Sequence, residues 1–138
     1  MGRFIESATM GEELFSELLR RVGKIDSLRE EMMKMGMLAA YRCTEPEFTV
    51  WLDTRDGKYE VGVGEPGDEP GVSISYSADV AHQSWLNKLN ATMAMTRGTI
   101  KVTGSITALL RFVPLQSRVA EVYAELLVER GLAHLQEA

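Results

Sequence analysis

The sequence has 138 residues, of which 45 % are hydrophobic and 25 % are charged, and this composition is typical of one soluble globular domain. A net charge of −5 at pH 7 argues against a nucleic-acid-binding protein, because such proteins need a clustered basic face to neutralise phosphates. The same charge balance disfavours strong attachment to an anionic membrane and leaves at most a transient contact through a local basic patch.

The single cysteine, Cys43, cannot form an internal disulfide, so a reducing compartment is expected. The chain has only two histidines in addition to this cysteine, and these residues lack the ligand spacing of a zinc site. We therefore predict neither a metal nor a cofactor. No signal pattern starts the chain, and no apolar run approaches the ~20 residues of a membrane span. We therefore predict a cytoplasmic protein that forms one domain over residues 1–138.

Two helices are predicted in the N-terminal part of the chain. Thr9 and Glu12 have the spacing of a capping box, which starts a helix that ends at Gly23. A second helix follows and stops at Gly36. Both are predicted to form an N-terminal helical extension over residues 1–36, whose first six residues are frayed. The apolar positions of the first helix share one face: Leu14, Phe15, Leu18, Leu19 and Val22.

The apolar residues then alternate with polar ones, and this pattern predicts strands. Asp56-Gly57 is typical of a hairpin turn, because glycine accepts the positive φ that such turns require. Strands with one apolar face predict an α+β fold: a five-stranded, mostly antiparallel sheet with helices packed on one face. Residues 131–138 are predicted to be a flexible tail. The predicted strands are 37–43, 48–52, 59–63, 72–77 and 99–103, with helices at 78–89 and 114–130.

No group of residues predicts catalysis. The acidic loop 64–71 lacks the ligand spacing of a calcium site and is interpreted as a solvated connection between strands. His82 has no nucleophile within reach and is interpreted as an exposed helix residue. Cys43 is interpreted as a small buried hydrophobe, since a catalytic cysteine would need a basic partner. We therefore predict no catalytic residue and a protein that is not an enzyme.

The stretch from Trp85 to Pro114 consists mainly of bulky apolar side chains around a strand that lies between Gly98 and Gly104. Its polar atoms suit turns and strand edges rather than chemistry, so it favours a structure that encloses something apolar. Its methionines allow two interpretations, either as core filling or as an adaptable lining for an apolar ligand.

The order of motifs in this stretch resembles the sterol carrier protein type-2 family, also called the sterol-binding domain family. The resemblance lies in Lys88-Leu89-Asn90, in a short helical turn, and in a Gly-x-ϕ-x-ϕ-x-Gly pattern that precedes an apolar helix. The two glycines of that pattern are Gly98 and Gly104.

This resemblance implies that the sheet and its helices enclose an apolar tunnel. It also implies non-covalent binding or transfer of a lipid, such as a fatty acid, a fatty acyl-CoA or a sterol, by a family without fixed catalytic residues. The chain lacks the peroxisomal address of some eukaryotic members, which suits a bacterial, cytoplasmic protein. The resemblance covers roughly residues 41–119, so the segment before Gly36 receives no support from it.

The tunnel is predicted between the apolar face of the sheet and the helices that follow it. One or two hydrogen bonds would hold a polar head group, and Arg97, Arg111, Gln116 and Arg118 are equal candidates. The predicted ligand-binding residues are Ile74, Tyr76, Trp85, Leu89, Met93, Met95, Ile100, Val102, Leu109, Leu110, Phe112, Val113 and Leu126.

A second hypothesis is an accessory interaction or oligomerisation module for a lipid- or quinone-processing enzyme. In that case the same fold has a filled core, and the protein forms a homodimer or binds a partner enzyme. The N-terminal helices would then cap the tunnel or dock a partner through Leu14, Phe15 and Leu18. Whether the tunnel is open or filled is left undecided by the sequence.

Overall fold

A computed structural model describes residues 3–137 and contains one five-stranded sheet. The strands are β1 Leu38–Thr44, β2 Phe48–Asp53, β3 Glu60–Val63, β4 Val72–Ser77 and β5 Lys101–Gly104. Their order across the sheet is β3-β2-β1-β4-β5, and every neighbouring pair is antiparallel except β1 and β4, which run parallel. The predicted α+β fold with a mostly antiparallel five-stranded sheet is therefore confirmed.

The helices agree with the prediction in order and differ from it mainly at their ends. The helix after β4 stops at Trp85 rather than Leu89, and the last long helix begins after a short 3-10 turn. The helices are α1 Ala8–Val22, α2 Asp26–Met33, α3 Ala78–Trp85, α4 Ala91–Thr96, α5 Ile106–Phe112 and α6 Gln116–Glu129, with 3-10 turns at Arg55–Gly57, Val113–Leu115 and Ala133–Glu137.

The strand register lines up one apolar row across the sheet. Tyr41 of β1 lies opposite Val50 of β2 and beside Ile74 of β4, and Ile74 in turn lies opposite Val102 of β5. Because strand side chains alternate between faces, this pairing puts the apolar residues of all these strands on one face. That face forms the floor of the hydrophobic core.

The helix α1 belongs to this core rather than to a separate extension. It packs on β2 and β3 and against α6. Gly11 allows the close approach to the sheet, since a Cβ there would lie 2.2 Å from the Phe48 ring. The helix starts one residue after Ser7, whose Oγ accepts the Met10 N–H at 3.1 Å, so the predicted Thr9 cap is wrong.

Asp79 binds the residues that precede α1 through hydrogen bonds. Its carboxylate, in the first turn of α3, accepts the backbone N–H groups of Arg3, Phe4 and Ile5 at 2.7–3.1 Å. Ile5 is fully buried. The prediction of frayed N-terminal residues is therefore wrong for residues 3–5, because their three backbone N–H groups bind the half-buried carboxylate of Asp79. Residues 1 and 2 lie outside the described part of the chain.

His82 is buried rather than exposed, and it fastens the C-terminal segment. Its Nε2 lies 2.8 Å from the Leu135 carbonyl oxygen, and its Nδ1 lies 2.7 Å from the Tyr123 hydroxyl. A carbonyl only accepts, so Nε2–H donates to Leu135 and Nδ1 accepts from Tyr123. The predicted flexible tail is therefore corrected over 131–137: Ala133–Glu137 form a 3-10 turn in which Leu135 is buried.

Among residues 3–137, the structure has no helix of the length and hydropathy that a bilayer span requires.

The buried imidazole predicts a pH-dependent stability. Burial lowers the pKa of His82 in the folded protein, so the unfolded chain takes up the proton first, near pH 6.5. Stability should therefore fall as the pH is lowered through about 6.5, by at most about 1.4 kcal/mol per pH unit. Urea unfolding between neutral and mildly acidic pH measures this slope.

The variant His82→Gln should be less stable at neutral pH but should lose most of that slope, because glutamine does not titrate. His134→Gln, at an exposed position, is the matched control and should keep the slope. Equal slopes in wild type and His82→Gln would contradict the assignment.

Candidate functional site

An apolar cavity of about 40 Å³ lies between the sheet and the helices α3, α4 and α5. None of the described residues that line it is charged, and most are apolar. The lining consists of Met35, Ala39, Tyr41, Val72, Ile74, Tyr76, Ser84, Trp85, Ala91, Ile100, Ala108, Leu109, Phe112 and Gln116.

The parallel pair β1 and β4 forms the floor of the cavity. The register places Ala39 beside Val72 and Tyr41 beside Ile74, and all four are buried.

Trp85 forms one wall. Helix α3 starts directly after β4, where the Ser77 Oγ accepts the Val80 N–H at 3.1 Å, and Trp85 is its last residue. The indole ring lies 5.3 Å from the Tyr41 ring and 6.0 Å, edge-on, from the Phe112 ring, measured between centroids. These aromatic contacts fix the indole between the floor and α5.

Helix α5 covers the cavity and is lightly anchored. Ser105 caps it, its Oγ accepting the Ala108 N–H at 3.2 Å. Within α5, whose residues are all described, only Ala108 is buried, while Leu109 and Phe112 reach the cavity. An element with few buried side chains opens at low free-energy cost.

The polar side chains that line the cavity are uncharged. The Trp85 Nε1–H is buried and has no hydrogen-bond partner among residues 3–137. Burial raises the pKa of the Tyr41 and Tyr76 phenols, so both keep their protons at neutral pH. The cavity therefore suits an uncharged ligand oxygen that accepts a hydrogen bond, because no cation is at hand to stabilise a buried carboxylate.

The cavity adjoins a wider groove of about 440 Å³ on the surface. The groove is lined by the residues 87–92, by Val113 and by Gln116. Ala91 and Gln116 line both the cavity and the groove, so we call this pair the mouth of the cavity.

The structure brings together part of the predicted set. Six predicted ligand-binding residues line the cavity: Ile74, Tyr76, Trp85, Ile100, Leu109 and Phe112. The other seven lie outside its lining: Leu89, Met93, Met95, Val102, Leu110, Val113 and Leu126.

These seven residues have different surroundings. Met93, Leu110 and Val113 are exposed, whereas Leu126 is fully buried in the core. Leu89 lines the groove beside the mouth. The two remaining residues, Met95 and Val102, are half-buried and pack against the core.

The cavity also contains residues that the sequence reasoning missed. Tyr41 could have been found from the alternation along β1, but only if the parallel partner of β1 had been recognised. Of the four head-group candidates, Gln116 lines the cavity, and the three arginines are exposed and lie outside it. The further missed residues are Met35, Ala39, Val72, Ser84, Ala91 and Ala108.

Cys43 is buried in β1, as predicted for a small hydrophobe. Burial raises the pKa of its thiol to about 12. The thiol therefore stays protonated at neutral pH and is a poor nucleophile.

Comparison with known sequences gives one family and one curated relative. A sequence model described as the SCP-2 sterol transfer family matches residues 15–117. Hydroxysteroid dehydrogenase-like protein 2 of Bos taurus is 29 % identical over 97 residues, which make up 68 % of this chain and 23 % of the bovine protein. The chain thus spans less than a quarter of that relative. Because the matched residues begin in α1, the expectation that the N-terminal helices lie outside the family region is wrong.

Solved structures show the same fold. The sterol carrier protein domain 2 of Helicoverpa armigera has a TM-score of 0.66 and 19 % identity, covering 87 % of this chain and 94 % of that one. The Aedes aegypti sterol carrier protein-2, in complex with the C16 fatty acid palmitate, has a TM-score of 0.56 and 16 % identity, covering 78 % and 94 %. At these identities the likeness concerns the fold alone.

At the junction between β5 and α5, one added methyl group should strongly lower the stability of the protein. Gly104 has φ +90°, and a Cβ there would lie 2.2 Å from the Gly71 carbonyl oxygen. Gly104→Ala should therefore destabilise the protein by about 3 kcal/mol, because strain and a backbone clash coincide. Urea unfolding midpoints measure this.

Gly98→Ala is the matched control in the turn that precedes β5. Gly98 has φ +76°, but nothing lies within 4 Å of a Cβ there, so strain alone should cost about 1 kcal/mol. Equal losses in both variants would show that the approach of β5 to Gly71 is not as close as described.

Proposed function

The chain belongs to the SCP-2 sterol transfer family, a family of lipid- and sterol-binding domains, and on that premise we propose that it binds one lipid in the cavity without catalysing a reaction. The observation that carries the proposal is the uncharged lining, in which a sheet floor and three helices surround apolar space. Each methylene that such a site removes from water contributes about 0.8 kcal/mol, so an alkyl chain needs no charged partner to be bound.

Binding a lipid requires α5 to move outward. The cavity measures about 40 Å³, well below the ~300–1,000 Å³ of ordinary ligand sites. Helix α5 has one buried residue and lies between Gly104, whose φ is +90°, and the 3-10 turn Val113–Leu115. We propose that α5 swings away from the sheet and that the ligand enters through the mouth formed by Ala91 and Gln116.

The ligand is proposed to carry a neutral oxygen near Trp85. The unpartnered indole N–H is a donor that an ether, ester, ketone or hydroxyl oxygen would satisfy. A fatty acid of the length seen in the Aedes aegypti protein would instead keep its carboxylate at the mouth, where water reaches it.

A second candidate function is the accessory module with a filled core, and the small cavity volume favours it. The surface that this hypothesis assigned to partner docking is not available, however. Leu14, Phe15 and Leu18 are at most 1 % exposed, because they pack between the sheet and α6. The two functions differ in whether a lipid binds at all.

Native mass spectrometry distinguishes the two functions. We expect added palmitate to give a one-to-one complex with the wild-type protein. Ala91→Trp should abolish the complex by blocking the mouth, whereas Thr96→Trp, at an exposed position of the same helix, should retain it. The absence of any lipid adduct on the wild-type protein would favour the accessory module.

The role of Trp85 is tested with two ligands of equal length, a long-chain methyl ketone and the corresponding alkane. In Trp85→Phe, the ketone should bind about fivefold more weakly, because one hydrogen bond is lost while a ring remains. The alkane should bind equally to both proteins and controls for altered packing. Equal losses for both ligands, measured by equilibrium dialysis, would refute the hydrogen bond.

A further inference from the structure

The charges of the chain are strongly segregated. Between Val80 and Ala120 there are five lysines and arginines and no aspartate or glutamate, whereas the rest of the chain carries ten cations and twenty carboxylates. An acidic protein therefore contains one basic region, and that region includes α4, β5 and α5. The five cations are Lys88, Arg97, Lys101, Arg111 and Arg118.

These five cations are exposed, and within residues 3–137 none of them forms an ion pair. Lys88 donates to the Gln136 carbonyl and Arg118 to the Ser27 hydroxyl, which leaves both charges uncompensated. By contrast, Arg21, Arg42 and Arg55 elsewhere are each paired with a carboxylate. These cations are thus available to external anions. Lys101 alternates along β5 with Val102, which packs against the core, so Lys101 lies on the face of the sheet away from α5.

An exposed apolar stripe lies within this basic region. Ile106, Leu110 and Val113 are spaced along one side of α5 and its continuing turn, and they are 49 %, 50 % and 42 % exposed. Residues at this spacing share one helix face. We call this stripe the outer face of α5; an adjoining side of α5 lines the cavity through Leu109 and Phe112.

The outer face of α5 adjoins the mouth of the cavity. Val113 and Lys88 line the same groove, and that groove meets the cavity at Ala91 and Gln116. Arg111 lies one position after Leu110, so cations flank the apolar stripe both on α5 and across the groove.

From these observations we propose that the outer face of α5 docks on an anionic lipid bilayer. A short helix with apolar side chains on one side and cations around them is suited to the boundary between head groups and acyl chains. Each cation near an anionic surface adds a favourable term that salt screens. In that position the mouth faces the lipid, and immersion of Ile106, Leu110 and Val113 draws α5 away from the sheet.

Vesicle sedimentation with the full chain tests the proposal, and it needs no lipid in the cavity. Vesicles of phosphatidylcholine and phosphatidylglycerol in equal parts should bind the protein, and pure phosphatidylcholine should not. Raising the salt from about 0.1 M to about 1 M should abolish binding, since the screening length falls from about 10 Å to about 3 Å.

Paired variants locate the surface. Leu110→Glu and Arg111→Glu should each weaken vesicle binding at least about tenfold. Val128→Glu, at another exposed apolar residue, and Lys24→Glu, at another exposed cation, make the same substitutions outside the region and should bind like wild type. Circular dichroism establishes that all four variants are folded.

Three results would overturn the proposal: no binding to the anionic vesicles, equal binding to neutral ones, or equal losses in all four variants. A protein that binds palmitate but no vesicle would refute the docking surface alone. A protein that binds vesicles but no lipid in solution would refute the proposed carrier function and leave the docking surface standing.

Discussion

The parallel pairing of β1 with β4 is the constraint on which the rest of the structure depends. Both strands run in the same direction, so β4 ends beside the end of β1, and α3 starts there without an intervening loop. The pairing also aligns Tyr41 with Ile74, which makes two central strands the floor of the cavity. A slip of one residue would turn this floor to the other face of the sheet. The cavity, its Trp85 wall and the covering α5 all follow from that one register.

Buried polar groups divide the interior into two regions of different character. Both nitrogens of the His82 ring have partners, Tyr123 and the Leu135 carbonyl, so this network holds the chain together at little cost. The indole N–H of Trp85 has none among the described residues, and an unsatisfied buried donor costs about 1–3 kcal/mol. The His82 ring, whose hydrogen bonds are satisfied, thus holds the C-terminal segment to the domain, whereas Trp85, whose N–H is unsatisfied, lines the cavity.

The sequence predicts the sheet well because apolar and polar residues alternate along its strands. The turn between β2 and β3 was predictable as well, because Asp56-Gly57 suits positive φ, and the two residues have φ values of 56° and 73°. The cavity lining is less predictable, since α5 carries apolar residues on more than one side: Leu109 lines the cavity, whereas its neighbour Leu110 is exposed. His82 and the C-terminal turn were misjudged for another reason. They are joined by a hydrogen bond from His82 to a backbone carbonyl, and such a bond leaves no trace in the pattern of side chains.

Helix α3 binds both ends of the chain. Asp79 accepts the amides of residues 3–5, and His82, three positions later and therefore nearly on the same side of the helix, binds residue 135. The first and last described residues consequently leave the domain from neighbouring points. A domain with adjacent ends can be spliced into a surface loop of a host protein without stretching either partner, and its original ends can be joined by a short linker while new ones are opened elsewhere.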